Sequence, residues 1–522
     1  MPVLHVTRAE LPPELDRIAD LLRKRRKPQL SMPPAPVGGP VLPPGASLPA
    51  TVAGPGGLRR TGKDALARLV DRITQGFDAA EHERARSLGY EAYLEEQLEP
   101  LAIDDSALET RLASFPTLGL SPRQIVDGYI EDPTQPYLEI KGAALLRSVF
   151  SKRQLFERMV EFWNDHFNLD HDKEDLLFVF KPEDERTVIR PNALGTFPAL
   201  LSASAHGGAM LFYLDNWLNF AGAPQENYAR ELMELHTLGV TGGYTEQDVR
   251  EVARCFTGWT LNGDTSSPDF LRAQFVSAYH APGSKTVLGV TIPALPGREN
   301  AQRVLDVLAT HPSTARFLAT KMIRWLLTET PPPELVEAVA GTYLDTGGDV
   351  RAMIRVILAR PNLERVSPVF APKYRRPFHL MTSLLRTLGA EVTDTAAPLY
   401  YLASMGHLPF DWAPPNGYPD RASFWGPSVL PRWTFVSNLM QGFVPGVELP
   451  LDRILTLLEI DGPDAQRGLA HRINRRILGG TLAVEEEFAL QYFVDALARP
   501  LSWNEVYEAI ALGASMPGFQ WY

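Results

Sequence analysis

Apolar residues recur along most of the chain at intervals of three and four, the period of a helix with one buried face. Between Lys63 and Thr74, Leu66, Leu69, Val70 and Ile73 share such a face, and Gly76 follows as a stop. Ala80 to Leu88 and Glu91 to Leu98 repeat the pattern on either side of Gly89. From Lys141 to Phe167 the apolar set Leu145, Leu146, Val149, Phe150, Leu155, Met159, Phe162 and Trp163 predicts one long central helix. Thr245 with Asp248 three residues on predicts a capping box, opening a helix through Val249, Val252, Ala253 and Phe256. Further helices are expected at Ala301 to Ala309, Thr314 to Leu327, Pro333 to Tyr343 and Val350 to Leu358, with Gly347 and Gly348 separating the last two, and again from Leu451 onward.

Only one stretch reads as strand. From Phe270 to Ile292, β-favouring residues flank Ala281-Pro282-Gly283-Ser284, which predicts a hairpin. The residues from Leu408 to Trp433 are rich in prolines and rings and read as a long loop. Ahead of the helices, residues 13–27 predict a short amphipathic helix ending in the basic run Arg23 to Lys27, an ordinary solvated end or a contact for an acidic partner. Residues 28–57 hold nine prolines and no charged residue, a composition that favours extended conformations and builds no core, so they read as a tether or a strap over the body. The expected fold is therefore mainly α: a large helical body over 58–522 with a small β-hairpin insertion, behind a Pro-rich N-terminal leader over 1–57. No repeat of 20 to 50 residues is evident, which disfavours a solenoid.

Composition narrows the function classes. The 522 residues carry a net charge of −11, which argues against nucleic acid as the main partner. The first residues lack the apolar core of a secretory signal, so a cytoplasmic location is expected, with export alongside a partner left open. No stretch reads as a spanning helix, because the longest relevant charge-free run beyond the Pro-rich leader, Pro191 to Leu214, is broken by Asn192, Pro198, His206 and several glycines. The single cysteine, Cys255, rules out an internal disulfide and any multi-cysteine metal site. A Walker loop, G-x-G-x-x-G and G-x-S-x-G are all missing, which lowers the odds of a P-loop NTPase, a Rossmann dehydrogenase or an elbow-type hydrolase.

Two segments concentrate polar chemistry. In Gln225 to Gly239, Glu226, Arg230 and Glu234 form an i, i+4, i+8 charge ladder, and Glu231 is drawn toward Tyr228, Leu232 and Leu235, where a carboxylate needs a cation, a metal or a proton. On a regular helix Glu231, Glu234 and His236 point in different directions, so they converge only if the helix ends near Leu235. In Glu161 to His171, Glu161 and Asp165 are like charges at i, i+4 that call for a cation between them, and His166 shares a core-facing side with Phe162. With His280 at the predicted turn, three histidines stand in polar and aromatic settings. Such ligands suit zinc, iron or manganese, although no H-E-x-x-H is present.

Taken in order, several words resemble the bacterial family named domain of unknown function 1800. They are Glu161-Phe162-Trp163 through His166-Phe167, Ile189 to Gly195, Tyr213 to Asn216, Glu226 to Glu231 through His236 to Gly239, Gly243 to Thr245 with Asp248-Val249, and Phe256 to Trp259. His280 with Gly283 and Lys285, His311-Pro312 with Thr314 to Phe317, and Pro414 to Tyr418 continue the pattern, so that the resemblance spans roughly residues 60 to 520. It implies a helix-rich fold without an assigned activity. Many members are exported and encoded beside a second family, domain of unknown function 1501. This chain departs from the pattern at His206-Gly207-Gly208-Ala209-Met210, where His-Pro-Ala-Met is expected, and in its lack of an export signal.

Two functions follow as expectations. The first is a metal-assisted enzyme, hydrolytic or oxidative, with His166, His236 and His280 on a divalent transition metal, Glu231 as base or ligand, and Arg230 steadying an anionic group or Glu234. The second is a non-catalytic helical scaffold that holds a protein partner of the domain of unknown function 1501 family through the leader and the aromatic loop.

Overall fold

The computed structural model describes residues 63–170, 176–294, 296–365, 373–460, 466–497 and 501–522. The leader, with its predicted helix and basic run, and His171 lie outside these residues. The body is mainly helical, with three two-stranded antiparallel sheets among the described residues.

The first helix, α1 (Ala65–Ile73), starts where the Asp64 side chain accepts a hydrogen bond from Ala67 N, and it buries Leu69, Val70 and Ile73. The long helix expected from Lys141 to Phe167 is instead two, α2 (Thr134–Phe150) and α3 (Gln154–His166). The break falls at Ser151, whose backbone is extended and whose hydroxyl donates to Asp105 Oδ2 (2.7 Å) while accepting from Arg153 N (3.0 Å). A serine that finds partners outside the helix ladder can end it, and periodicity alone does not reveal this. Next, α4 (Leu177–Asp184) carries Pro182 inside it and widens into a π-helical turn at Glu185–Ile189. A second such turn, Leu232–Thr237, follows α5 (Asn227–Glu231).

The capping box opens α6 (Glu246–Phe256) as expected, with Thr245 Oγ1 accepting from Asp248 N and Asp248 accepting from Thr245 N. The small β insertion is present, but its pairing differs from the expectation. Strand β1 (Trp259–Leu261) pairs with β2 (Ala273–Phe275), whereas β3 (Lys285–Val287) pairs with β4 (Val290–Ile292) around Leu288 and Gly289, both at positive φ. Residues 281–284 join two sheets rather than turning one hairpin. Helices follow at Gly297–Ala309, α7 (Pro312–Leu326), Pro333–Asp345 and Val350–Ile357, close to the predicted spans. The second half contains α8 (Pro377–Leu388), α9 (Val429–Met440), α10 (Val484–Asp495) and α11 (Trp503–Ser515). The loop expected from 408 to 433 is shorter, because Ala422–Trp425 is a helical turn and α9 begins at Val429.

Two hydrophobic cores result. One draws on residues between Ala65 and Leu363, including Trp163, Phe197 and Tyr343; the other joins Leu108 to Val149 with Phe378 to Phe519. On α3, Leu155, Met159, Phe162 and Trp163 face the first core, each contributing about 1.5–3 kcal/mol by burial. The opposite edge of α3 faces α2, α8 and the aromatic loop of the second half, and there the polar residues gather.

Candidate functional site

Along that edge of α3 the acidic side chains meet cations from other elements. Arg190 forms a two-pronged pair with Glu157 (2.7 and 2.9 Å). Arg376, at the start of α8, spans Glu161 and Asp165, with Nη1 donating to Asp165 Oδ2 (2.5 Å) and Nη2 to Glu161. The like-charge pair read from the sequence thus has its cation, and that cation is an arginine. Lys181 of α4 is buried against Asn164 Oδ1 (2.5 Å), Asp184 (2.8 Å) and Glu185 (3.3 Å). Truncating Arg376 would leave two carboxylates side by side away from water. Arg376→Met is therefore expected to cost about 3–5 kcal/mol in denaturant unfolding.

The segment from His407 to Trp425 covers this edge as a packed lid. Asn168 donates to the carbonyls of Trp412 (2.7 Å) and Pro414 (2.9 Å), and Lys141 of α2 holds Pro409 O (2.7 Å) and Asp411. Tyr418 donates to Leu408 O and Trp425 to Pro419 O, both at 2.7 Å. The rings of Tyr374, Tyr418 and Trp425 form a small third cluster. Gly417, at φ +74°, rests directly on the backbone of Asp165.

Between α2, α3 and the lid lies a cavity of about 60 Å³, lined by Arg147, Glu157, Glu161, Asn164, Asp165, Glu185, His407, Tyr418 and neighbours. One water needs about 10–15 Å³ measured this way, so the space suits about four to six water-sized atoms. Three groups on its wall, Asp165, His407 and Arg147, keep hydrogen-bonding capacity that no described residue takes up. Arg376 takes Asp165 Oδ2, and Oδ1 has no hydrogen-bond partner among the described residues. Burial pushes the Asp165 carboxyl up to about 6, against the pull of Arg376. Glu185 is 4% exposed, and its Oε1 is ion-paired with Lys181 (3.3 Å). Burial raises the Glu185 carboxyl, but Lys181, Arg190 and Arg147 outweigh it and hold the group below its usual range. His407, 4% exposed, accepts from Phe378 N at Nδ1 (3.1 Å), which leaves its hydrogen on Nε2 with no protein acceptor. Arg147 makes no side-chain ion pair or hydrogen bond with any of the described residues, and burial lowers its affinity for its proton.

The sequence-predicted residues divide into three places. His166 and His236 do come together, with ring centroids 6.0 Å apart, because the π-helical turn at Leu232–Thr237 rolls His236 inward to 1% exposure. Lys321 of α7 is the third member, and its Nζ donates to His166 Nδ1 (2.9 Å) while His166 Nε2 donates to His236 O (3.1 Å). Both nitrogens of His166 are thus occupied, and a lysine ammonium stands where a metal ion would bind. Burial and Lys321 bring the His236 ring down to about 3, and burial brings Lys321 down to about 8. His280 is held elsewhere, by Thr257 O (2.8 Å), Asn300 Oδ1 (3.2 Å) and Lys285 (3.1 Å), with Phe275 as its ring neighbour. Arg230 sits in a surface cluster with Glu246 (2.7 Å), Glu226 (3.4 Å) and Glu234 (3.7 Å), and Glu231 is half-buried on the same short helix. Among the described residues no group of three or more His, Cys, Asp or Glu side chains is placed to hold a metal ion. The three-histidine donor set therefore does not fit a metal centre.

Arg147, Glu185, Lys321, Arg376 and His407 were not singled out from the sequence. The like-charge spacing of Glu161 and Asp165 demanded Arg376 without identifying it, and the other four carry no local signal, since each becomes notable only through what the fold sets beside it. Among the described residues no helix is long and apolar enough to cross a membrane. No curated protein and no solved structure matches the chain. A family model described as Protein of unknown function (DUF1800) matches residues 68–521, in keeping with the words noted above, and the chain belongs to that family.

Proposed function

We propose that the protein is an enzyme that binds a small polar ligand in the cavity beside α3 and moves a proton to or from it through Asp165. The observation that carries this reading is a carboxyl raised to about 6, with one oxygen free of any described residue, on the wall of a partly open cavity. At neutral pH such a group accepts a proton readily, and slightly below neutral it returns one. Arg376 and Glu161 fix the carboxyl in place, and the lid limits water. The metal-assisted form of this reading finds less support, because Lys321 occupies His166 Nδ1.

The test is turnover of a panel of small amides, esters and amino compounds by the wild type and by Asp165→Asn, with fold checked by circular dichroism. The expected result is a rate that changes with an apparent pKa near 6 and is lost in the variant. Turnover that persists in a folded Asp165→Asn protein would rule the reading out.

A second reading, a scaffold for a protein of the domain of unknown function 1501 family, is favoured by one feature. Val484, Phe488 and Tyr492 lie at i, i+4, i+8 on α10 and are 51%, 74% and 74% exposed, an apolar stripe of the kind that partners cover. Co-purification with that partner, for the wild type and for Phe488→Ser with Tyr492→Ser, distinguishes the two readings.

A further inference from the structure

We infer that the ligand of the α3 cavity is a small zwitterion with a carboxylate and an ammonium a few atoms apart, an amino acid of glycine or alanine size. The inference rests on the reading of this cavity as the working site, and it is carried by the sign and location of the unused groups on its wall.

Two of these groups ask for an acceptor. Among the described residues the Arg147 guanidinium has no partner and the His407 Nε2 hydrogen has none either, although the ring is almost wholly buried between Tyr418 and Trp425. A guanidinium with unused donors beside an N–H is suited to a carboxylate. The third, Asp165 Oδ1, is a carboxylate oxygen that asks for a donor. The remaining acidic side chains on the wall are already committed, Glu157 to Arg190, Glu161 to Arg376 and Gln75, and Glu185 to Lys181.

A simple anion would satisfy Arg147 and His407 but would sit near the open oxygen of Asp165. A simple cation would do the reverse. A ligand carrying both charges answers all three, and polar groups left unanswered away from bulk water are costly. Size makes the choice narrower still. A cavity of about 60 Å³ admits about four to six water-sized atoms, and glycine and alanine have five and six non-hydrogen atoms.

The experiment is isothermal titration of the full-length protein near neutral pH with glycine, alanine, acetate and methylammonium, each to about 10 mM. Glycine or alanine is expected to bind at least about tenfold more tightly than either half-ligand. Arg147→Met is expected to weaken glycine at least about tenfold and leave methylammonium as it was, and Asp165→Asn to weaken glycine and methylammonium together. If a variant fails to fold, the wild-type comparison decides alone. Acetate or methylammonium binding as tightly as glycine, or no heat with any of the four, overturns the inference. Such an outcome leaves the acid–base reading standing if Asp165 still titrates near 6.

Discussion

Gly417→Ala is expected to destabilise the protein severely. At φ +74° a side chain is already strained, at a cost of about 1–2 kcal/mol. The added carbon would also overlap the carbonyl oxygen and carbon of Asp165, and these are helix backbone that cannot swing aside as a flexible side chain can. Relief requires lifting the lid off α3. That would give up the Asn168 bonds to Trp412 and Pro414 and expose Tyr418 and Trp425. The combined cost is expected to exceed about 4 kcal/mol, a large part of the stability of an ordinary domain. Gly406→Ala supplies the control. Its φ is +75°, nearly the same, yet nothing lies within 4 Å of the added carbon, so it should lose only the strain of about 1–2 kcal/mol. Urea unfolding of the two variants beside the wild type checks the difference, and equal losses would mean that the lid does not rest on α3 as described.

Acid should unfold the protein at an unusually mild pH. His166, His236, His379 and His407 are all buried, and burial, aided by neighbouring cations, holds each ring well below the usual imidazole value near 6.5. The unfolded chain takes up these protons as pH falls through 6.5, and the folded chain refuses them until far lower. Stability is therefore complete above about pH 6.5 and is lost as pH drops toward the folded-state values, of which the His236 value is about 3. Four such groups give a slope approaching about 5 kcal/mol per pH unit, enough to exhaust a typical domain stability within about one to three units. The raised carboxyls of Asp165, Asp184 and Glu329 oppose this, because each contributes stability at low pH that is lost as pH rises through its folded-state value, while the depressed carboxyls of Glu81, Glu185 and Asp248 act with the histidines. Circular dichroism against pH should show unfolding centred between about pH 4 and 5.5. His379→Gln should move the midpoint lower, since the His379 Nε2 atom has no partner to lose. A protein that remained folded at about pH 3.5 would contradict the description of these rings as neutral and buried.

Much of the helical framework was legible because it rests on local chemistry. Apolar spacing located α1, α7 and their neighbours, and Thr245 with Asp248 marked the start of α6. The errors arose where a distant group decided the outcome. Ser151 breaks the long helix because Asp105 accepts its hydroxyl, and β2 turns back to β1 because Phe275 pairs with Trp259, while the turn at Leu288 and Gly289 closes a different sheet.

The site followed the same rule. Glu161 and Asp165 announced a missing cation through their spacing, and His166 announced its burial through Phe162. The inward roll of His236 depends on a π-helical turn, which helical arithmetic at 100° per residue cannot foresee. His280 looked equivalent to the other two histidines only because chain position conveys nothing about which pocket a ring enters. Arg147 and His407 gained meaning only once α2 and the lid were set on either side of α3.

The central claim is that Asp165 is a proton-carrying group on the wall of a ligand cavity. The most direct measurement is the titration of its carboxyl carbon by NMR in aspartate-labelled protein, assigned by comparison with Asp165→Asn and performed with and without glycine. The account predicts a midpoint near 6 that moves when glycine is added. A midpoint at the ordinary aspartate value near 4, unmoved by any ligand, would contradict it.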